Sequence, residues 1–229
     1  MPTHRTPAHA WRELLAGNDR FVHGSMEHPA QDARHRSEVS TAQHPFAVVL
    51  GCSDSRVAAE IVFDRGLGDL FVVRTAGHVL DTTVLGSIEF GVSVLGAPLV
   101  LVLGHDSCGA VGATAHALRT GELPDGFVRA IVDRVLPSIV HLPEPGADDD
   151  PDRAVEPATL TTDPERLGRE HVRHTVQMLL AYSAALREAV AAGRCAVVGA
   201  EYALAEGRVR PVVSRGLPEG ATSDGSMGA

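Results

Sequence analysis

Short apolar runs punctuate this chain. Phe46–Leu50 (FAVVL), Leu70–Val73 (LFVV), Leu99–Leu103 (LVLVL) and Cys195–Val198 (CAVV) are continuous, not alternating, and lie close to Gly or Pro. Runs of this length and β-branched content predict strands covered on both faces, as in a parallel sheet. Between them the period changes. Trp11, Leu14, Leu15, Phe21 and Val22 recur at helical spacing, and Val84, Leu85, Ile88, Val92 and Leu95 make one apolar helix face. Gly109–Arg119 reads as a helix, and Asp163–Ala192 as a longer one, with Thr162 and Glu165 as a capping box and Gly193 as its stop. Val197–Leu204 and Val209–Val213 form a hairpin turning at Glu206–Gly207. The alternation predicts an α/β fold with a central, mostly parallel β-sheet flanked by helices.

The 229 residues suit one domain, residues 1–229, with a helical N-terminal arm over 1–45 and a disordered Gly/Ser-rich tail over 218–229. Residues 143–158 are acidic and proline-rich, the pattern of a solvated loop. No apolar stretch approaches the roughly 18 residues that span a bilayer, and no apolar secretory core opens the chain. These absences lead us to expect a cytoplasmic protein without a membrane partner.

Composition narrows the chemistry. The 20 Lys+Arg are all arginine, which removes lysine Schiff bases and phosphate-loop lysines. A net charge of −9 argues against a nucleic-acid partner. Three cysteines are too few and too odd for a disulfide framework, leaving thiols available for metal or catalysis.

Two strand endings then stand out. One runs Ala47-Val-Val-Leu-Gly-Cys52 and the other Leu101-Val-Leu-Gly-His105, each an apolar strand, a glycine and a residue able to bind zinc. Sites in open α/β sheets form outside the carboxyl ends of strands, so neighbouring strands would bring Cys52 and His105 together. Cys108 follows His105 by three residues at the start of a helix, where the positive helix end favours a thiolate. Two sulfurs and one imidazole suit Zn²⁺ and leave a fourth position free, the mark of a catalytic site. In Cys52-Ser-Asp54-Ser-Arg56, Asp54 either binds the metal itself or is held by the Arg56 fork. The chemistry implied is metal-activated water attacking a small electrophile.

These residues resemble the β-class carbonic anhydrases. C-S-D-S-R followed by H-x-x-C-G carries the likeness, and Gly17-Asn-Asp-Arg-Phe21, Gln43-x-Pro45, Arg56-Val-Ala-Ala-Glu60, Gly66–Arg74 and Gly86–Phe90 extend it. The resemblance implies one zinc per chain on Cys52, His105 and Cys108, a catalytic dyad of Asp54 and Arg56, and reversible hydration of CO2 to bicarbonate. One subtype of the family uses the aspartate as a fourth zinc ligand in a closed state. The resemblance also implies substrate-pocket roles for Gln43, Phe71, Phe90 and the Gly109 N–H, with Phe90 standing where other members carry tyrosine. It further implies N-terminal helices packing on a partner subunit, and a homodimer or tetramer with pockets at the dimer interface. Phe21 stands where members with an allosteric bicarbonate site carry tryptophan, which argues against that regulation despite Arg74 and Tyr202. Cys195, remote from both motifs, reads as a buried inert thiol.

Overall fold

The computed structural model describes residues 5–139, 163–218 and 220–221. The acidic loop expected at 143–158 and most of the expected tail lie outside them. Five strands, β1 (Ala47–Cys52), β2 (Leu70–Thr75), β3 (Leu99–His105), β4 (Ala196–Ala203) and β5 (Arg208–Arg215), form one sheet in the order β2-β1-β3-β4-β5. The first four in that order pair in parallel, and β5 returns antiparallel to β4 as the hairpin expected from the sequence. Each apolar run is thus a strand.

Their continuous hydrophobicity has a direct cause, because both sheet faces are covered. Val49, Leu99, Leu101, Leu103 and Val198 point to one side, against Trp11 and Leu14 of α1 (Pro7–Val22) and Phe63 after α3 (Ala59–Val62). Val48, Leu50, Val100, Val102 and Val197 point to the other, against Ile88 of α4 (Thr82–Glu89), three residues of α7 (Pro164–Tyr182) and Leu186 of α8 (Ala184–Ala191). Cys195 is fully buried in this second layer, and burial pushes its thiol up to about 12, in keeping with an inert role. Among the described residues no helix is long and apolar enough to cross a membrane.

The helix expected over Asp163–Ala192 is two helices. Ser183 leaves the helical region (φ −96°, ψ 106°), accepts the Leu186 N–H at 3.0 Å as the cap of α8, and donates to Glu89 Oε1 at 2.6 Å. Serine competes with a helix for its own backbone groups, and apolar periodicity does not register such a break. The cap of α7 is Asp163, which accepts the Arg166 N–H at 3.1 Å; Thr162 lies outside the described residues. The apolar face expected over Val84–Leu95 continues past α4 as one wider π turn, Phe90–Val94.

The motif Gly17-Asn-Asp-Arg fastens α1 to its own chain. Asn18 donates to Val62 O and Gly207 O and accepts from Val209 N, while Arg20 pairs at 2.6 Å with the fully buried Asp64. At Gly17 an added Cβ would stand 1.8 Å from Phe63 O. Gly17→Ala therefore forces α1 away from the end of α3. We expect it to cost about 3 kcal/mol, read as a lowered midpoint in chemical denaturation. A midpoint within error of wild type would show that α1 shifts freely. The other helix of the arm, α2 (Ala33–Glu38), has no buried residue.

Candidate metal centre

The register of β1, β2 and β3 sets the site. Gly51 pairs with Leu103 of β3 and Cys52 with Thr75 of β2, so Cys52 and His105 leave neighbouring strands at the same end of the sheet. The intervening residues Asp106 and Ser107 turn tightly, with Ser107 at φ 51°, and Cys108 caps α5 (Gly109–Thr120). Asp106 ties this turn to the end of β4, donating its N–H to Tyr202 O and accepting the Leu204 N–H at 3.1 Å. As a result one ligand atom each from Cys52, His105 and Cys108 lies within 4.8 Å of the other two, and all three residues are buried.

The imidazole is prepared for a cation. His105 Nδ1 donates to Asp106 O at 2.7 Å, and a carbonyl only accepts, so the ring proton sits on Nδ1. Nε2 is then a bare lone pair, buried and without a hydrogen-bond partner. A buried acceptor left unsatisfied is costly unless something electropositive meets it. The sulfurs agree. The Cys108 side chain lowers the Cys52 thiol pKa despite burial, helped by the Gly77 N–H at 3.3 Å. Cys108 is pushed up in turn, chiefly by Cys52 and then by burial, while the Val111 and Ala110 N–H groups pull against this. The helix end at Cys108 does favour the thiolate, yet the pair gives first claim to Cys52. Two buried sulfurs and a bare imidazole nitrogen fit Zn²⁺ in ligand type and number.

Beside this group lies the carboxylate. Asp54 Oδ1 accepts from Arg56 N and Nε, both at 2.9 Å, and Oδ2 accepts from Arg56 Nη2 at 2.6 Å. Arg56 thereby holds the Asp54 carboxyl well below the usual carboxylate range. Oδ2 is 4.0 Å from His105 Nε2, so the dyad and the three ligands share one site. Arg74 secures the loop from behind, donating to Cys52 O at 2.9 Å and Asp54 O at 2.6 Å. A cavity of about 290 Å³ is lined by His105, Cys108 and Gly109 on this side, with Gly168 and Glu201 opposite.

The remaining sequence-derived pocket residues lie elsewhere in the chain. Phe71 pairs with Val48, four residues before the Cys52–Thr75 level, or about 13 Å down the sheet. Phe90, 45% exposed, packs near it with ring centroids 6.1 Å apart. Gln43 is exposed and precedes β1, next to His44–Phe46, which line a groove with Gly96–Pro98 at the opposite end of the sheet. One chain thus assembles Cys52, Asp54, Arg56, His105, Cys108 and Gly109, and leaves Gln43, Phe71 and Phe90 apart from them. Spacing arguments missed Arg74 and Gly77 as supports of Cys52. The run Arg74-Thr-Ala-Gly77 closes β2 and opens the turn after it, so the strand-end logic that found Cys52 could have reached it.

Comparison with known proteins agrees with this geometry. The family model for carbonic anhydrase matches residues 47–209, a span holding the ligands and the dyad. The chain belongs to the β-class carbonic anhydrases. Carbonic anhydrase 2 of Mycobacterium tuberculosis is 50% identical over 202 residues, covering 88% of this chain and 91% of that protein. The carbonic anhydrase of Mycolicibacterium smegmatis is 52% identical over 203 residues, covering 89% and 92%. Among solved structures, a tetrameric β-carbonic anhydrase from Sordaria macrospora superposes with a TM-score of 0.63 at 20% identity, covering 89% of this chain and 98% of that one. The Coccomyxa β-carbonic anhydrase in complex with acetazolamide gives 0.61 at 24% identity, covering 86% and 84%. These two likenesses concern the fold. Carbonic anhydrases are zinc lyases that hydrate CO2.

Proposed function

We propose that this chain hydrates CO2 reversibly to bicarbonate and a proton, with zinc held by Cys52, His105 and Cys108 and with Asp54 and Arg56 as its catalytic dyad. The observation that carries this reading is the bare His105 Nε2 set among two sulfurs, 4.0 Å from a carboxylate already bound on both oxygens by Arg56. Zinc, when bound, supplies the acidity that makes water a nucleophile near neutral pH. The chain's own residues do the rest. Asp54, fixed and ionised, can only accept, so it takes a hydrogen bond from the attacking water and turns the water's lone pair towards carbon. The Gly109 N–H, at the start of α5, donates to the CO2 oxygen on which negative charge grows. His78 is fully buried, and burial holds it well below the usual imidazole range, so it is no proton exit.

The reading includes a homodimer, or a tetramer built from such dimers. Gln43, Phe71 and Phe90 would serve the site of a second copy, with Gln43 a donor to substrate oxygen and the two rings apolar walls for CO2. Phe90 and Val94, 45% and 66% exposed on the same turn, are suited to an interface. It also includes a cytoplasmic location, where thiols stay reduced, and residues 1–229 acting as one domain.

Zinc content and CO2 hydration against pH, measured on one sample, test the proposal. We expect one zinc per chain and turnover that persists below about pH 8, because Arg56 occupies both Asp54 oxygens and would keep the carboxylate from serving as a fourth ligand. Zinc-loaded protein that leaves the uncatalysed rate unchanged would overturn it. Turnover abolished below that pH would instead show Asp54 crossing to the metal.

A further inference from the structure

Cys52 receives a hydrogen bond whose origin can be followed inward to α7. Gly77 donates its N–H to Cys52 Sγ at 3.3 Å. The Gly77 carbonyl bonds to His171 Nε2 at 2.8 Å, and His171 Nδ1 bonds to Ser138 Oγ at 2.8 Å. A carbonyl only accepts, so the His171 proton is on Nε2, and Nδ1 must accept the Ser138 hydroxyl. Ser138 thus donates to His171 and His171 to the Gly77 carbonyl, while the N–H of the same residue, in the preceding peptide group, donates to the sulfur. The first two bonds share one imidazole and so polarise and strengthen one another in a buried setting, and the link from Gly77 O to Gly77 N is conformational.

The chain is buried throughout, with Ser138 and His171 each 2% exposed. Burial lowers the His171 ring to about 4, which keeps it neutral and its tautomer fixed. The Gly77 residue depends on this grip, because its conformation is unusual. Gly77 and His78 take φ values of 64° and 44° in succession, and a Cβ at Gly77 would stand 2.8 Å from Ala110 Cβ. Two left-handed residues in a row need outside support. The His171 ring supplies it twice, through the bond to Gly77 O and by packing against His78, with centroids 4.4 Å apart and the rings tilted by 33°.

We propose that His171, oriented by Ser138, is a positioning residue for the zinc centre. It holds the Gly77 carbonyl, and with it the residue's backbone conformation, so that the Gly77 N–H stays aimed at Cys52 Sγ, which fixes the sulfur's direction and limits the charge it donates to the metal. The inference rests on Cys52 being a zinc ligand, and so the test includes Cys52→Ser.

The readouts are the thiolate-to-metal charge-transfer absorption of the cobalt-substituted protein and the rate of zinc release to a chelator. His171→Leu is expected to shift the absorption and speed release about 10–100-fold, the usual cost of losing an outer support. His171→Gln, whose amide N–H reaches towards Gly77 O, should restore both. Ser138→Ala should move both readouts in the same direction as His171→Leu and by less. A folded His171→Leu protein with native absorption and release overturns the inference, as does a His171→Gln protein no better than His171→Leu. If His171→Leu fails to fold, an unshifted Ser138→Ala alone overturns it. Cys52→Ser separates the two levels. Zinc lost there, with native behaviour in His171→Leu, removes only the positioning role, whereas full zinc retention removes the ligand assignment and this inference together.

Discussion

Cys52→Ser is expected to yield protein without zinc after dialysis against a chelator, and with CO2 hydration at the uncatalysed rate. A serine hydroxyl does not ionise near neutral pH, so the substitution removes a donor charge as well as a soft ligand. Two ligands would remain, His105 and Cys108, joined by a tight turn and facing a site open on one side. The fall in affinity must exceed the 10–100-fold typical of losing an outer support, because a direct bond is gone. Cys108→Ser should behave alike. It serves as the control because Cys52 also accepts the Gly77 N–H, so local disorder could follow its loss. Metal analysis showing one zinc per chain in either folded variant would refute the assignment.

Asp54→Asn should leave zinc in place and lower turnover about 10²–10⁴-fold, the range for removing a positioned proton acceptor. Each Asp54 oxygen now accepts from Arg56, and an amide would turn an N–H₂ group towards that fork or towards the attacking water. The first orientation sets donor against donor and breaks the Arg56 hold, and the second removes the acceptor that the water needs. The pair itself is partly exposed, with the Arg56 side chain 53% accessible, so thermal stability should hardly change. That contrast discriminates between roles: a structural pair would alter melting and spare turnover. Stopped-flow hydration undiminished in Asp54→Asn would refute the dyad.

The strand ends were legible because a strand buried on both faces writes itself as an unbroken apolar run. When Val48 and Val49 are both covered, nothing polar is tolerated until the strand reaches its end, and the residues at those ends are Cys52 and His105. Helix boundaries were less legible. Ser183 breaks a helix by bonding Leu186 N and Glu89, and only the second of these is a matter of tertiary placement, so the serine itself was the available clue. Ser138 and His171, separated by 33 residues, carry no motif and meet only because α7 packs over the turn after α6 (Val128–Val135). The likeness to a family supplied Gln43, Phe71 and Phe90, yet spacing alone held no hint that they stand at the far end of the sheet from the ligands.

The sheet register has a consequence for how the ion arrives. Cys52 and His105 are terminal residues of strands that are buried along their whole length, and Asp106 pins the following turn to β4. Their spacing is therefore maintained by hydrophobic packing, and the polypeptide can mature before it meets a metal. In small zinc modules folding and coordination are a single event. Here we expect loading to be a capture step on a finished scaffold, reversible by chelation without unravelling the chain. Which divalent ion occupies the site is then decided by supply and by sulfur–nitrogen selectivity, after synthesis is over.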